Sequence, residues 1–577
     1  MRVPVLRRAH PSLRAPFNLW DVVALAIVVG ILATLSHGAR ETIAPLKTLA
    51  LTPISLDPWR LPEYALRTSM RMIAAMAASV VFSLGYATLA AKSRHAEMVL
   101  VPLLDILQSV PVLGFLSFTV TGFMALTPGN VLGVEFASIF AVFTSQAWNM
   151  AFSFYQSLRT IPADLEEAAK AFGLTPWQKF WRLEAPYGAP ALIWNMMMSM
   201  AGGWFFVTAS EAFTVGNTQV TLPGIGSYIA AANDKQDFTA VAWAIGAMAV
   251  TILIFDQLVF RPLVAWAEKF HIEQTASADP PQSWVLDLLR RTRLMAAIGR
   301  PLGESARWVA SFRLLRVAPL RAPQLSVRGE RTFDVVWISV VLIATLLAGV
   351  RIFEFVSHEL DWREVLHAVG LAFITLARVA VLITLAALVW TPIGVWIGLR
   401  PKWAERVQPV AQFLAAFPVN LLYGAVVSGI IAWRLDPNVF LSPLMILGTQ
   451  WYILFNVIAG ASAYPTDLKQ AAQSFGVTGW QWWRNVMGPG ILPYFVTGAL
   501  TASGGAWNAA IVSEVASWGS HHLRAAGLGA YIADATAAGD YPRIVLGVVV
   551  MSVFVVALNR SVWRPLYRLA ERRYRFD

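Results

Sequence analysis

The segment Pro162-Ala163-Asp164-Leu165-Glu166-Glu167-Ala168-Ala169-Lys170-Ala171-Phe172-Gly173 returns 303 residues later as Pro465-Thr466-Asp467-Leu468-Lys469-Gln470-Ala471-Ala472-Gln473-Ser474-Phe475-Gly476. The same offset carries Trp177-Gln178 onto Trp480-Gln481, Pro186 onto Pro489, Ser210-Glu211 onto Ser513-Glu514 and Tyr228-Ile229-Ala230 onto Tyr531-Ile532-Ala533, and it runs out at Arg261-Pro262-Leu263 on Arg564-Pro565-Leu566. Upstream the offset is 307, which places Arg71 on Arg378 and Pro111 on Pro418. Self-similarity at a fixed offset reads as two units joined head to tail.

The composition says what kind of unit repeats. Of 577 residues, 57% are hydrophobic and 14% charged, with mean hydropathy +0.57. Soluble domains carry about 25% charged residues, so the composition argues against a large water-soluble enzyme. At about 20 apolar residues per span, the chain has room for about a dozen. Apolar runs fall near 19–36, 68–91, 100–125, 134–157, 188–214 and 240–260, and again near 333–353, 367–398, 408–433, 439–462, 490–516 and 541–562. The expected fold is an all-α polytopic membrane protein of two tandem six-span units. An even number of spans gives both units one orientation, a parallel repeat.

Charge sets that orientation. The net charge of +11 sits at the N-terminus (Arg2, Arg7, Arg8, Arg14), at the C-terminus (Arg568, Arg572, Arg573, Arg575) and in a central linker with ten arginines between Arg290 and Arg331. The positive-inside rule needs basic residues in such places, with both termini cytoplasmic, and no nucleic-acid partner is called for. The run Trp20–Leu35 is read as an uncleaved first span. The linker segment Trp284-Val285-Leu286-Asp287-Leu288-Leu289-Arg290-Arg291 suits a membrane surface of anionic lipid, while a plain basic tether explains the same residues. Three parts follow: a first unit at 1–266, the linker at 267–332 and a second unit at 333–577.

Without cysteine there is no disulfide and no Cys-based metal site. No Gly-x-x-x-x-Gly-Lys-Ser/Thr loop is present to cradle ATP phosphates, and no zinc spacing or Gly-x-Ser-x-Gly elbow occurs. His521 and His522 are adjacent and are read as loop residues.

The repeated polar segment carries a resemblance. Glu167-Ala168-Ala169, three residues, Gly173, nine residues, Leu183, two residues and Pro186 resemble the EAA motif of permease subunits of binding-protein-dependent ABC importers. Gln470-Ala471-Ala472, Gly476, Val486 and Pro489 repeat it, with Gln470 for the motif's Glu, and with Ala185 and Gly488 where the motif has Leu. Leu107-Gln108-Ser109-Val110-Pro111, Arg71, and the runs from Glu211 to Ile229 and from Glu514 to Ile532 are similar to the nitrate/sulfonate/taurine/bicarbonate branch, in its fused form. The resemblance implies a type I ABC importer (MetI-like) transmembrane domain without catalytic residues, with coupling helices near 163–183 and 466–486. It implies no cofactor on this chain, ATP and Mg on two copies of a partner ATPase subunit, and a periplasmic or lipid-anchored substrate-binding protein. Beside it stands a physical account. Asp164 and Asp467 suit N-caps, the Ala pairs admit a close partner, and Gly173 and Gly476 suit a left-handed helix end.

Ionisable groups within spans are costly, which singles out Arg71, Arg378, Glu211 and Glu514. Ion pairs Arg71–Glu211 and Arg378–Glu514 are expected, and they serve either as structure or as an outer gate. Gln108, Ser109, Asn195, Trp204, Asn420, Gln450, Asn456, Trp507 and Asn508 are candidates for a translocation path, although polar groups at that depth equally join helices to one another. The rival reading, a gradient-driven secondary transporter with a parallel repeat, would need coupling-ion carboxylates at mid-membrane depth.

Overall fold

A computed structural model describes residues 53–108, 110–215, 218–270, 283–292, 301, 303–305, 307–312 and 327–574. The expected first span near 19–36, most of the linker and Ser109 lie outside the described residues. Helix α1 (Leu61–Lys92) opens with a proline in its first turn, where the missing N–H costs no hydrogen bond. Ser93 is extended after it, and its side chain accepts from Ala96 N to start α2 (Arg94–Leu107). Then come α3 (Leu116–Leu126), α4 (Leu132–Arg159), the short α5 (Ala163–Ala171), α6 (Ala185–Glu211), strands β1 (Ala212–Val215) and β2 (Thr218–Thr221), α7 (Ile225–Asp234) and α8 (Phe238–Phe255). Past the linker lie α9 (Val327–Ser357), α10 (Trp362–Gly398), α11 (Pro401–Ala416), α12 (Tyr423–Ala432), α13 (Gln450–Ser462), α14 (Thr466–Ser474), α15 (Gly488–Ser513), β3 (Val515–Trp518), β4 (His521–Arg524), α16 (Leu528–Ala538) and α17 (Tyr541–Leu558). Among the described residues six helices are long and apolar enough to cross a membrane, and two bent pairs raise this to eight.

The runs expected as continuous spans near 100–125 and 408–433 are broken instead. Proline removes a backbone donor and pushes the residue before it out of the helical region. Phe417, ahead of Pro418, is extended (φ −72°, ψ 124°). The helices on either side, Pro401–Ala416 and Val419–Ala432, meet at 74°. In lipid a freed backbone group must find a protein partner. At the Pro111 break, Val112 N donates to Asn508 Oδ1 on α15, 2.8 Å away. The run near 439–462 also bends, by 42°.

Small residues let the helices close. A Cβ on Gly188 of α6 would meet the Phe154 ring, and one on Gly498 of α15 would meet the Tyr452 carbonyl at 2.7 Å. Among the described residues the two largest apolar cores each draw on both parts of the chain. One packs Met72, Trp204, Tyr228 and Met248 with Val419, Leu421 and Val427. The other packs Val379, Trp507, Ile532 and Met551 with Val112, Leu116 and Val120. The broken span of each part is thus seated in the core of the other.

The expectation of an all-α chain needs one correction. After α6 and after α15 the chain forms an antiparallel hairpin, paired Ala212↔Thr221 through Val215↔Thr218 and Val515↔Arg524 through Trp518↔His521. His521 and His522 therefore lie on a strand rather than in a loop, pointing to opposite faces. Gly519 N, in the turn between β3 and β4, donates to Asn233 O at the end of α7 (2.8 Å), so α6 and α15 end on one face of the molecule. α5 and α14 precede these helices and sit at the opposite face.

Candidate functional site

Where α6 meets the hairpin, Glu211 is completely buried. Its carboxylate accepts from Thr68 Oγ1, Arg71 Nη1 and Gly226 N, each at 2.7 Å. Arg71 also gives Nε and Nη2 to the two oxygens of Glu135 (2.6 and 2.7 Å), a bidentate pairing that fixes its plane, and donates to Pro223 O at 3.0 Å. Gly224 has to be glycine because a Cβ there would collide with the Glu211 carboxylate.

The second part builds the counterpart. Glu514 accepts from Thr375 Oγ1 (2.9 Å), Arg378 Nη1 (3.1 Å) and Ala530 N (3.0 Å), and a Cβ on Gly527 would collide with its carboxylate. Both ion pairs expected between α1 and α6 and between α10 and α15 are present. The sequence reading missed Glu135, Thr68, Thr375 and Asn438. The threonines repeat at the 307-residue offset, three residues before each arginine, which would have revealed them. Glu135 is matched by Asn438, whose Oδ1 accepts from Arg378 Nη2 (3.3 Å) and Ala526 N (2.9 Å). A carboxylate in one cluster is an amide in the other, so identity across the repeat gave no signal.

The remaining path candidates separate into two groups. Gln108 donates to Asn149 Oδ1 (2.6 Å), Asn195 to Ser153 Oγ (2.8 Å) and Asn456 to Tyr452 O (2.8 Å), while Gln450 accepts from Trp390 Nε1 (2.9 Å). Each of these contacts stays within one part of the chain. Asn420 reaches across to Thr208 Oγ1 on α6 (3.0 Å), and Asn508 holds the Val112 amide of the opposite break. Trp204 and Trp507 are both buried. Trp204 lines a cavity of about 390 Å³ between the parts, with Met197, Ile252, Phe255, Val410 and Phe413.

At the opposite face, α5 and α14 are single polar helices. Pro162 and Pro465 occupy the N-cap positions, and neither helix start has a side-chain cap hydrogen bond. Asp164 and Asp467 lie inside the first turn instead, where they act on the helix dipole. The expectation that they are N-caps is corrected: proline fixes the extended entry one residue earlier. The glycine ends are as expected. Gly173 (φ 61°) and Gly476 (φ 62°) are left-handed. Leu174 N reaches Ala169 O (3.2 Å) and Val477 N reaches Ala472 O (3.0 Å), which closes a Schellman turn on each helix. Ala169 and Ala472 are buried beneath, while Glu167, Ala168, Gln470 and Ala471 are exposed, beside Phe172 (81% exposed) and Phe475 (84%).

The two helices are held differently. In the first part Lys179 pairs with Glu166 (2.8 Å) and Glu184 (3.6 Å), and Lys92 pairs with Glu184 (2.7 Å). The hydrogen bond from Lys179 holds the Glu166 carboxyl below its ordinary range. At the matching positions of the second part stand Lys469, Trp482, Met487 and Leu399, and the last three pack into or against an apolar core. Among the described residues no group of three His, Asp or Glu side chains is arranged to hold a metal ion.

Apolar spans, proline-broken helices sealed by a neighbouring part and a buried polar cluster at one face define a multi-pass membrane protein. The chain belongs to the family described as binding-protein-dependent transport system inner membrane component: the family profile matches residues 79–261 and again 390–576, together more than half of the chain. It is an ABC-transporter permease component and not an enzyme. Over 190 residues it is 23% identical to the nitrate import permease protein NrtB of a Synechocystis species, which covers 33% of this chain and 66% of that protein. Over 194 residues it is 26% identical to the bicarbonate transport system permease protein CmpB of Synechococcus elongatus (33% and 64%). Over 201 residues it is 26% identical to the glycine betaine/proline betaine transport system permease protein ProW of Escherichia coli (35% and 53%). The matched stretches thus span slightly less than two thirds of these relatives, or about half.

Proposed function

We propose that the chain forms both transmembrane halves of an ATP-driven importer for a small polar solute, most simply an anion such as nitrate or bicarbonate. In this reading each half has six spans, at 1–266 and 333–577, joined by a basic cytoplasmic linker at 267–332, and both termini are cytoplasmic. The observation that carries it is the doubled surface helix. α5 and α14 each expose a small polar face, end in a left-handed glycine and lie at the face opposite the arginine–carboxylate clusters. A short rigid helix stopped by a glycine turn transmits push and pull from a soluble motor into α6 and α15. ATP and Mg bind two ATPase subunits docked there, and their closure drives the halves between inward- and outward-facing forms. A binding protein delivers solute at the face of the hairpins. Asn420, Asn508 and Trp204, at the seam between the halves, are the path residues this arrangement favours. Related permeases named for nitrate and bicarbonate support the anion, and one named for glycine betaine marks how far the family's solutes range.

The test is mass spectrometry of what co-purifies with the tagged chain from its native membrane, wild type against a variant carrying both Gly173→Val and Gly476→Val. No heavy atom lies within 4 Å of a Cβ built at either glycine, so the space there is open and the cost of the substitution falls on the backbone. A β-branched residue at φ near +60° is strained by about 1–3 kcal/mol. Wild type is expected to bring an ATPase subunit and the intact double variant to lose it. If wild type brings none under several mild detergents, the importer reading falls and a gradient-driven transporter takes its place.

A further inference from the structure

Just after α5, the chain's own linker sits on the first part. Trp177 Nε1 donates to Val309 O (2.8 Å) and Gln178 Nε2 donates to Ser311 O (3.0 Å). These carbonyls belong to the end of the helical stretch 307–311, where a helix runs out of its own donors. Gln178 is aimed by Thr175. Thr175 N donates to Gln178 Oε1 (3.1 Å) and Gln178 N donates to Thr175 Oγ1 (3.3 Å), which leaves the amide nitrogen free to reach the linker. Thr175 and Gln178 are buried in consequence. Two donors on one turn thus make a fork that grips the end of a helix.

Thr478, Trp480 and Gln481 repeat these three residues at the same spacing after α14, yet all three are exposed, Trp480 at 77%. Thr478 makes no capping bond there, and Gly479 (φ 59°) stands where Pro176 stiffens the first turn. We propose that Trp480 and Gln481 are a docking fork for the C-terminal end of a helix carried by the ATPase subunit seated on α14, whereas the matching fork at Trp177 and Gln178 is taken by the linker. The occupied fork shows the ligand chemistry: backbone carbonyls at a helix end, presented to an indole N–H and an amide. Its place points to the partner, because Trp480 stands five residues after Phe475, which is exposed like the outer residues of α14. On docking, Thr478 and Gln481 close the reciprocal pair already made by Thr175 and Gln178. The two ATPase subunits therefore meet different surfaces.

The inference rests on the importer reading, and the experiment separates the two. The full chain is purified with its ATPase subunits from its native membrane, as wild type, as W480F/Q481L and as W177F/Q178L. Losing both hydrogen bonds predicts ATPase retention weaker by about tenfold or more in W480F/Q481L. W177F/Q178L is expected to keep its ATPase while trypsin cuts faster at Arg307. If wild type holds two ATPase subunits and W480F/Q481L holds them equally well, the fork assignment is overturned and the importer reading stands. If wild type holds none, both fall. A photo-crosslinking residue placed at position 480 reads the occupant without depending on fold stability. A cross-link to the ATPase supports the proposal, and one confined to lipid or to the linker of a second copy overturns it.

Discussion

Arg71 and Arg378 hold matching places with unequal partners, and the difference sets what each substitution does. Arg71 is 3% exposed between two carboxylates, whereas Arg378 faces one carboxylate and an amide with its side chain 13% exposed. Removing one partner of a buried pair costs about 3–5 kcal/mol, because the remaining charge is left without compensation. Arg71→Gln is therefore expected to lower the yield of folded protein and its melting temperature in detergent. Arg378→Gln should be milder by about half or more, and equal losses would contradict the asymmetry. Gly224→Ala and Gly527→Ala push a methyl onto a buried carboxylate, so each should reduce folded yield even though neither changes a charge. At this scale the sequence was readable where both halves agree: the arginines and Glu211 with Glu514 were found by offset alone. Glu135 and Asn438 were not, because residues that differ between the halves leave no repeat to detect.

Two elements with one sequence pattern are secured by different forces. α5 is strapped through Glu166, Lys179 and Glu184, while the segment after α14 leans on Met487, Trp482 and Leu399. Glu166 has its carboxyl lowered, so the strap is complete above the ordinary carboxylate pKa of about 4.3 and is lost as pH falls through the lower folded value. Neutral and mildly acidic conditions should leave α5 docked. Glu166→Gln removes the strap at every pH. With both partners partly exposed, such a pair contributes about 0.2–1 kcal/mol. Amide exchange over 163–173 should then quicken by about two- to fivefold in Glu166→Gln, while 466–476 stays unchanged. Helix ends at glycine were legible because Gly173 and Gly476 combine a polar run with the one residue suited to φ near +60°. The breaks at Pro111 and Pro418 were not, since hydropathy counts apolar residues and takes no account of the amide that proline removes. That amide's absence becomes visible only when Asn508 is seen satisfying Val112 from another helix.

Across the whole molecule, neither part owns its core. Val112, Leu116 and Val120 fill the second part, and Val419, Leu421 and Val427 fill the first. Residues 1–292 expressed alone should be degraded or aggregate, as should 293–577 alone. Co-expression should recover a stable complex that migrates as one species in gel filtration, and independent stability of either piece would contradict the interleaved cores. The twofold plan was legible from the repeat, but the exchange of the broken spans depends on side chains meeting across hundreds of residues and has no local pattern. A single chain bearing both arginine clusters also changes what mutation can do. Around Arg71 stand a second buried arginine, Arg67, and two carboxylates, while the counterpart of Arg67 is Ile374 and that of Glu135 is Asn438. Arg67 also pairs with Glu63 (3.5 Å), whose counterpart is Gly370, so the two sites differ by three changes between a charged and an uncharged residue. Had the two halves been identical subunits of one gene, every such change would have struck both sites at once; in one chain, each site can change on its own.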